Sequence, residues 1–117
     1  MSELKKDIIE FLKVLADQTR LDILYLLYRG KKSSSEIQSA LNKSQPTISQ
    51  HLKVLDSKNL IIFERIKNEN DIPVKYYKIK NKGIFEILVN IKSFVDGTNK
   101  ERLHTISDED IIDTLLT

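Results

Sequence analysis

The chain has 117 residues, 40% hydrophobic and 31% charged, enough to bury the core of one domain and too apolar for a disordered polyelectrolyte. With 0 Cys it can form no disulfide and no thiolate metal site, and with 3 Gly and 2 Pro it is not a loop-rich chain. The net charge of +2 hides an asymmetry, because residues 1–95 carry 17 Lys/Arg against 11 Asp/Glu while residues 96–117 carry 2 against 6.

In chain order, Leu4, Ile8, Phe11, Leu12 and Leu15 recur at spacings of three and four and predict an amphipathic helix over residues 3–15. Asp17 suits the N-cap of a second helix, with Leu21, Leu24, Tyr25 and Tyr28 on one stripe and Gly30 just past its end. Ser33 and Glu36 fit a capping box ahead of a short helix whose Ile37, Ala40 and Leu41 face inward. A polar connection, Asn42-Lys43-Ser44, leads to a fourth helix over residues 45–57. Pro46 stands in its first turn, and Ile48, Leu52 and Leu55 form its buried stripe.

The period then changes from helix to strand. Residues 60–67 and 74–80 are β-rich and flank Asn68-Glu69-Asn70-Asp71-Ile72-Pro73, which predicts a hairpin with a long loop. A helix over residues 82–95 follows, and Asp96-Gly97-Thr98-Asn99 ends it. In the tail, Ser107 and Asp110 form a second capping box before Ile111, Ile112, Leu115 and Leu116. A helix that short is marginal alone, so it needs a surface to lie on. Two placements remain open for it: on a helical dimerisation layer, or folded over basic residues 45–80.

This order gives a mainly α fold with a small β-hairpin, a winged helix-turn-helix of helices, a two-stranded wing and a C-terminal helix. Residues 1–95 are expected to form one domain, and residues 96–117 an acidic extension. Residues 29–82 hold 12 basic side chains against 5 acidic ones, the pattern of a polyanion-binding surface. The fourth helix then presents Gln45, Thr47, Ser49, Gln50 and Lys53 for DNA. Gln can pair bidentately with adenine, and Thr or Ser can serve several bases. Thr47 could instead belong to the helix cap. Arg65, Lys67, Lys75 and Lys78 are the wing's candidates for phosphate contact.

Phe11-Leu12-Lys13-Val14-Leu15-Ala16-Asp17-Gln18-Thr19-Arg20-Leu21-Asp22-Ile23-Leu24 resembles the opening helices of ArsR-type winged-helix repressors. Ser44-Gln45-Pro46-Thr47-Ile48-Ser49-Gln50-His51-Leu52-Lys53-Val54-Leu55 resembles their recognition-helix signature. Tyr76-Tyr77-Lys78-Ile79 is similar to their second wing strand, and the resemblance runs over residues 4–95. It implies a homodimeric transcriptional regulator on a pseudo-palindromic operator, usually a repressor released by a signal. Metal-sensing members carry cysteines where this chain has Lys32-Ser33-Ser34-Ser35-Glu36-Ile37. Others bind zinc on the last helix, which here has no His. No metal and no cofactor is therefore expected.

Leu4, Ile8, Phe11 and Leu12, with Phe85, Leu88 and Ile91, exceed the needs of one small core and are the candidate dimer interface. His51 falls at the edge of the buried stripe and reads as structural, Arg20 as an ion-pairing or capping residue, and His104 as an exposed side chain. No catalytic constellation is present, so the chain is not read as an enzyme. No apolar run approaches the ~20 residues that span a bilayer, and the N-terminus lacks a secretory block, so a cytoplasmic protein is expected. Its partners are duplex DNA, a second copy of itself, and an unidentified effector or protein. The alternative is a winged helix used for protein interaction without specific DNA binding.

Overall fold

The computed structural model describes residues 2–97 and 106–116, with Leu116 by its backbone alone. The chain divides into two compact units, residues 1–80 and 81–117. The first unit holds α1 (Glu3–Leu15), α2 (Gln18–Tyr28), β1 (Lys32–Ser33), α3 (Ser34–Leu41), α4 (Gln45–Ser57), β2 (Ile61–Lys67) and β3 (Pro73–Ile79). The second holds α5 (Gly83–Val95) and α6 (Asp108–Leu116).

Local chemistry sets most of these ends. Side chains of Ser2, Asp17, Ser33 and Ser44 each accept a backbone N–H in the first turn of the helix that follows. The Ser33–Glu36 capping box is complete in both directions. Asn42 and Asn59 take left-handed backbone at φ 53 and 60, which stops α3 and the α4 end. Gly30 sits at φ 142, a conformation that side-chain-bearing residues rarely adopt.

The core of the first unit is aliphatic, with Ile23, Leu24, Ile37, Ile48, Leu55 and Ile61 almost wholly buried. In α2 the most buried residues are Ile23, Leu24 and Leu27, while Leu21, Tyr25 and Tyr28 are only half-buried, unlike the expected stripe. The reason is position: α2 touches α1, α3, α4 and β3, so no single face of it is the inner one. Ala40 is exposed rather than inward-facing.

The wing has one strand more than the sequence pattern foretells. The sheet runs β1-β3-β2, all antiparallel, with Lys32 and Ser33 pairing Tyr77 and Tyr76. A two-residue strand has no periodicity to read, and its partner lies more than forty residues away in sequence. The hairpin tip is tightly organised. The Asn68 side chain accepts from the Asn70 and Ile72 amides at 2.9 and 3.0 Å, and Asp71 stands at φ 61.

In the second unit α6 lies against α5. Ile111 is buried, and the Lys92 ammonium bridges Asp96 at 2.9 Å and Asp113 at 2.8 Å. These carboxylates hold the Lys92 ammonium above its usual pKa. The tail capping box forms as the sequence suggests, Ser107 N–H to Asp110 and Asp110 N–H to Ser107, both at 3.1 Å.

Candidate nucleic-acid interface

α4 is a 13-residue helix pinned on one side by Ile48, Leu52 and Leu55, all buried. At 3.6 residues per turn, Gln50 and Lys53 lie opposite that stripe. Both are exposed, and neither has a hydrogen-bond or ion-pair partner among the described residues. The flanking polar residues are more committed. Gln45 Nε2 donates to Ser49 Oγ at 3.0 Å. Ser44 Oγ accepts the Thr47 amide at 3.4 Å and donates its own proton to Thr47 Oγ1 at 3.0 Å. Thr47 is thus part of the cap, and its side chain is half-buried.

Three helices meet at Arg20. Its Nε donates to the Val14 carbonyl at 2.7 Å and its Nη2 to the Lys13 carbonyl at 3.2 Å, closing the C-terminal end of α1. Its Nη1 reaches His51 Nδ1 at 3.0 Å on α4. His51 Nε2 stands 4.0 Å from Asp17, whose carboxylate also accepts the Arg20 amide at 3.0 Å. Burial raises the Asp17 pKa. The Arg20 amide, with the charge of His51 when its ring is protonated and that of Arg20, outweighs it, and the net effect is a lowered value. A second tie runs from Lys58, the α4 C-cap, to Glu10 at 2.9 Å, a hydrogen bond and charge that lower the Glu10 pKa.

The four wing cations do not share one environment. Strand alternation puts Phe63, Arg65 and Lys67 on one face with Lys75 and Tyr77, because Phe63 pairs Tyr77 and Arg65 pairs Lys75. Lys78 pairs Ile62 on the other face and stands 4.0 Å from Glu64. Glu64 also binds Lys31 at 3.1 Å, and Lys31 and Lys78 together lower its pKa. Lys67 stands 3.5 Å from Asp71. Arg65 and Lys75 have no carboxylate of a described residue within 4.0 Å. They lie instead over Phe63, at 5.1 and 4.5 Å from its centroid. Phe63 carries no charge to mark it in the sequence, but an aromatic two places before Arg65 on a strand shares its face.

The candidate dimer residues separate by exposure. Leu4, Ile8 and Leu12 on α1 are exposed and Phe11 is half-buried. On α5, Phe85 and Leu88 are buried within the single chain, and only Ile91 of the expected trio is exposed. The open apolar face of α5 is Ile87, Ile91 and Phe94, at 43%, 43% and 74% exposure, with spacings of four and three. Phe85 falls on the opposite side of that helix and Leu88 on its flank. His104 lies outside the described residues. Among the described residues no three His, Cys, Asp or Glu side chains group as metal ligands, and no helix is long and apolar enough to cross a membrane.

A helix pair joined by a short turn, with an outward polar face on its second member and a β-wing behind, defines a winged helix-turn-helix protein. Residues 17–62 match the family described as bacterial regulatory protein, arsR family. The chain is 29% identical over 97 residues to the arsenical resistance operon repressor of Staphylococcus aureus, a match covering 83% of this chain and 86% of that one. Over residues 17–62, and in its fold, this chain is similar to the ArsR-family winged helix-turn-helix transcriptional regulators. The structure of Rv0081 of Mycobacterium tuberculosis matches with a TM-score of 0.72 at 27% identity, over 84% of this chain and 94% of that one. The homodimeric winged helix-turn-helix DNA-binding domain Mb0332 of Mycobacterium bovis shares the fold, with a TM-score of 0.67 at 24% identity over 91% and 97% of the two chains.

Proposed function

We propose that this protein is a homodimeric transcriptional repressor that reads a pseudo-palindromic operator with residues 45–57 in the major groove. One observation carries the reading. α4 is anchored by three buried aliphatics and by Arg20, while Gln50 and Lys53 project from it uncommitted. Hydrogen-bonding groups on a rigid helix are what base-edge readout needs. Gln50 is the central base reader, with Gln45, Thr47 and Ser49 beside it. Lys53, Arg65, Lys67, Lys75 and Lys78 supply phosphate contacts, of which Lys53, Arg65 and Lys75 have no acid of a described residue within 4.0 Å.

Repression and pairing are supported by relatives. The Staphylococcus aureus relative is an operon repressor, and the Mycobacterium bovis domain is homodimeric. The exposed apolar residues of α1 and α5 suit a two-fold contact, which would set two recognition helices about one DNA turn, ~34 Å, apart. On this reading residues 1–95 do the binding and pairing, residues 96–117 are an extension, and the work is done in the cytoplasm where the duplex lies. Thiolate sensing of soft metals is closed to these 117 residues, which contain 0 Cys, so release falls to an effector or protein partner of other chemistry.

The test is selection of bound genomic fragments, followed by titration of the recovered site and of random duplex. Gln50→Ala should cost about 1–3 kcal/mol on the recovered site and little on random DNA. A chain that shows no salt-dependent duplex binding would instead be a winged helix serving protein interaction.

A further inference from the structure

Arg65 and Lys75 are direct cross-strand partners on one face of the hairpin. Two like charges in that relation repel, and proteins ordinarily avoid the arrangement or neutralise it with an acid. No acid of a described residue comes within 4.0 Å of either. Both cations lie over the ring of Phe63, the Lys75 ammonium at 4.5 Å and the Arg65 guanidinium carbon at 5.1 Å from the centroid. The negative face of an aromatic ring attracts cations without discharging them. Tyr77 leans on the same ring at 5.8 Å and 55°, which fixes its tilt. The result is a pair of exposed, undischarged cations with restricted freedom.

We propose that Phe63 is a positioning residue for DNA: its ring holds Arg65 and Lys75 together as one contact for a stretch of phosphodiester backbone. The proposal rests on the DNA-binding reading above and deepens it. A phosphodiester is the anion that duplex DNA offers, and it would relieve the repulsion that the protein leaves unneutralised. Preorganised cations lose less side-chain freedom on binding than free ones, so the ring adds to affinity without touching DNA. Lys67 and Lys78, each beside a carboxylate, contribute less than their charge suggests.

The experiment measures binding of the full chain to a random-sequence duplex of about 30 bp over a range of salt concentrations. Phe63→Leu should weaken binding about threefold to tenfold and reduce the slope of log affinity against log salt by about 1, while Phe63→Tyr should keep both near the parent values. In the Arg65→Ala/Lys75→Ala background, Phe63→Leu should add no further loss. An equal loss in that background, or an unchanged slope while Lys53→Ala still weakens binding, overturns the positioning role and leaves the DNA reading standing. A parent chain without salt-dependent binding overturns both. If Phe63→Leu fails to fold, the Arg65→Ala and Lys75→Ala cycle decides: losses less than additive support one shared contact, and full additivity overturns it.

Discussion

Arg20 donates from Nη1 to Nδ1 of His51 at 3.0 Å, tying α2 to α4 across 31 positions of sequence. A guanidinium has no acceptor, so Nδ1 must be the acceptor and the ring proton of the neutral imidazole sits on Nε2, toward Asp17. Nitrogen NMR should report this Nε2–H tautomer for His51. Arg20→Lys keeps the charge but cannot span the Lys13 and Val14 carbonyls and His51 together. It should destabilise the fold by about 1–3 kcal/mol in denaturant unfolding. A neutral result would show the three contacts to be dispensable.

The lowered pKa of Asp17 has a defined direction in pH. Its folded value lies below the ordinary 3.8, so its contribution is complete above that value and is lost as pH falls through the folded value. Asp17→Asn keeps a cap acceptor and removes the titration. Its acid unfolding limb should be shallower than that of the parent, with little change near neutrality beyond a cap effect of about 1 kcal/mol or less. Parallel acid limbs would argue against the shift.

Ile91→Glu places a carboxylate in the open apolar face of α5 without disturbing the buried side of that helix. If that face pairs two copies, light scattering at micromolar concentration should show a dimer for the parent and a monomer for the variant, with duplex affinity falling alongside. A monomeric parent would remove the two-fold operator from the proposed function.

Deleting residues 106–117 removes Ile111 from its buried position and Asp113 from Lys92. Loss of one buried aliphatic alone is worth about 1.5–3 kcal/mol. The shortened chain should therefore melt earlier while its duplex affinity per dimer stays close to that of the parent. A truncated chain of undiminished stability that bound DNA much more tightly at low salt would favour a tail that competes with DNA for residues 45–80.

Zinc titration should leave duplex affinity unchanged, because the chain has 0 Cys and its described residues form no ligand group. A tenfold shift, about 1.4 kcal/mol of coupling, would refute this and direct attention to His51 and His104.

What could be read in advance was what neighbouring residues decide. The Ser33–Glu36 and Ser107–Asp110 boxes, the Asn59 stop and the span of α4 all depend on contacts within a few positions. The α4 stripe was legible because that helix has one buried side, whereas the α2 core was not, because neighbours surround it. β1, the Arg20–His51 bond and the Phe63 platform all arise from pairing between distant segments. On α5 apolar residues run most of the way round the helix, and the pattern alone could not say that Phe85 and Leu88 turn inward while Ile87 and Phe94 turn out.

The small cap at the start of α4 also sets a polarity. Ser44 receives the Thr47 amide and spends its proton on Thr47 Oγ1. One lone pair of the threonine hydroxyl is thereby occupied, and its own hydrogen is left to point elsewhere. Should Thr47 meet a base edge, as the proposed function has it, it would act chiefly as a giver of a hydrogen bond. The edges that suit it are guanine N7 and O6, adenine N7 and thymine O4, and the cytosine amino group suits it least. A serine two turns from the helix centre, with no need to meet DNA, can in this way tilt which base its neighbour tolerates.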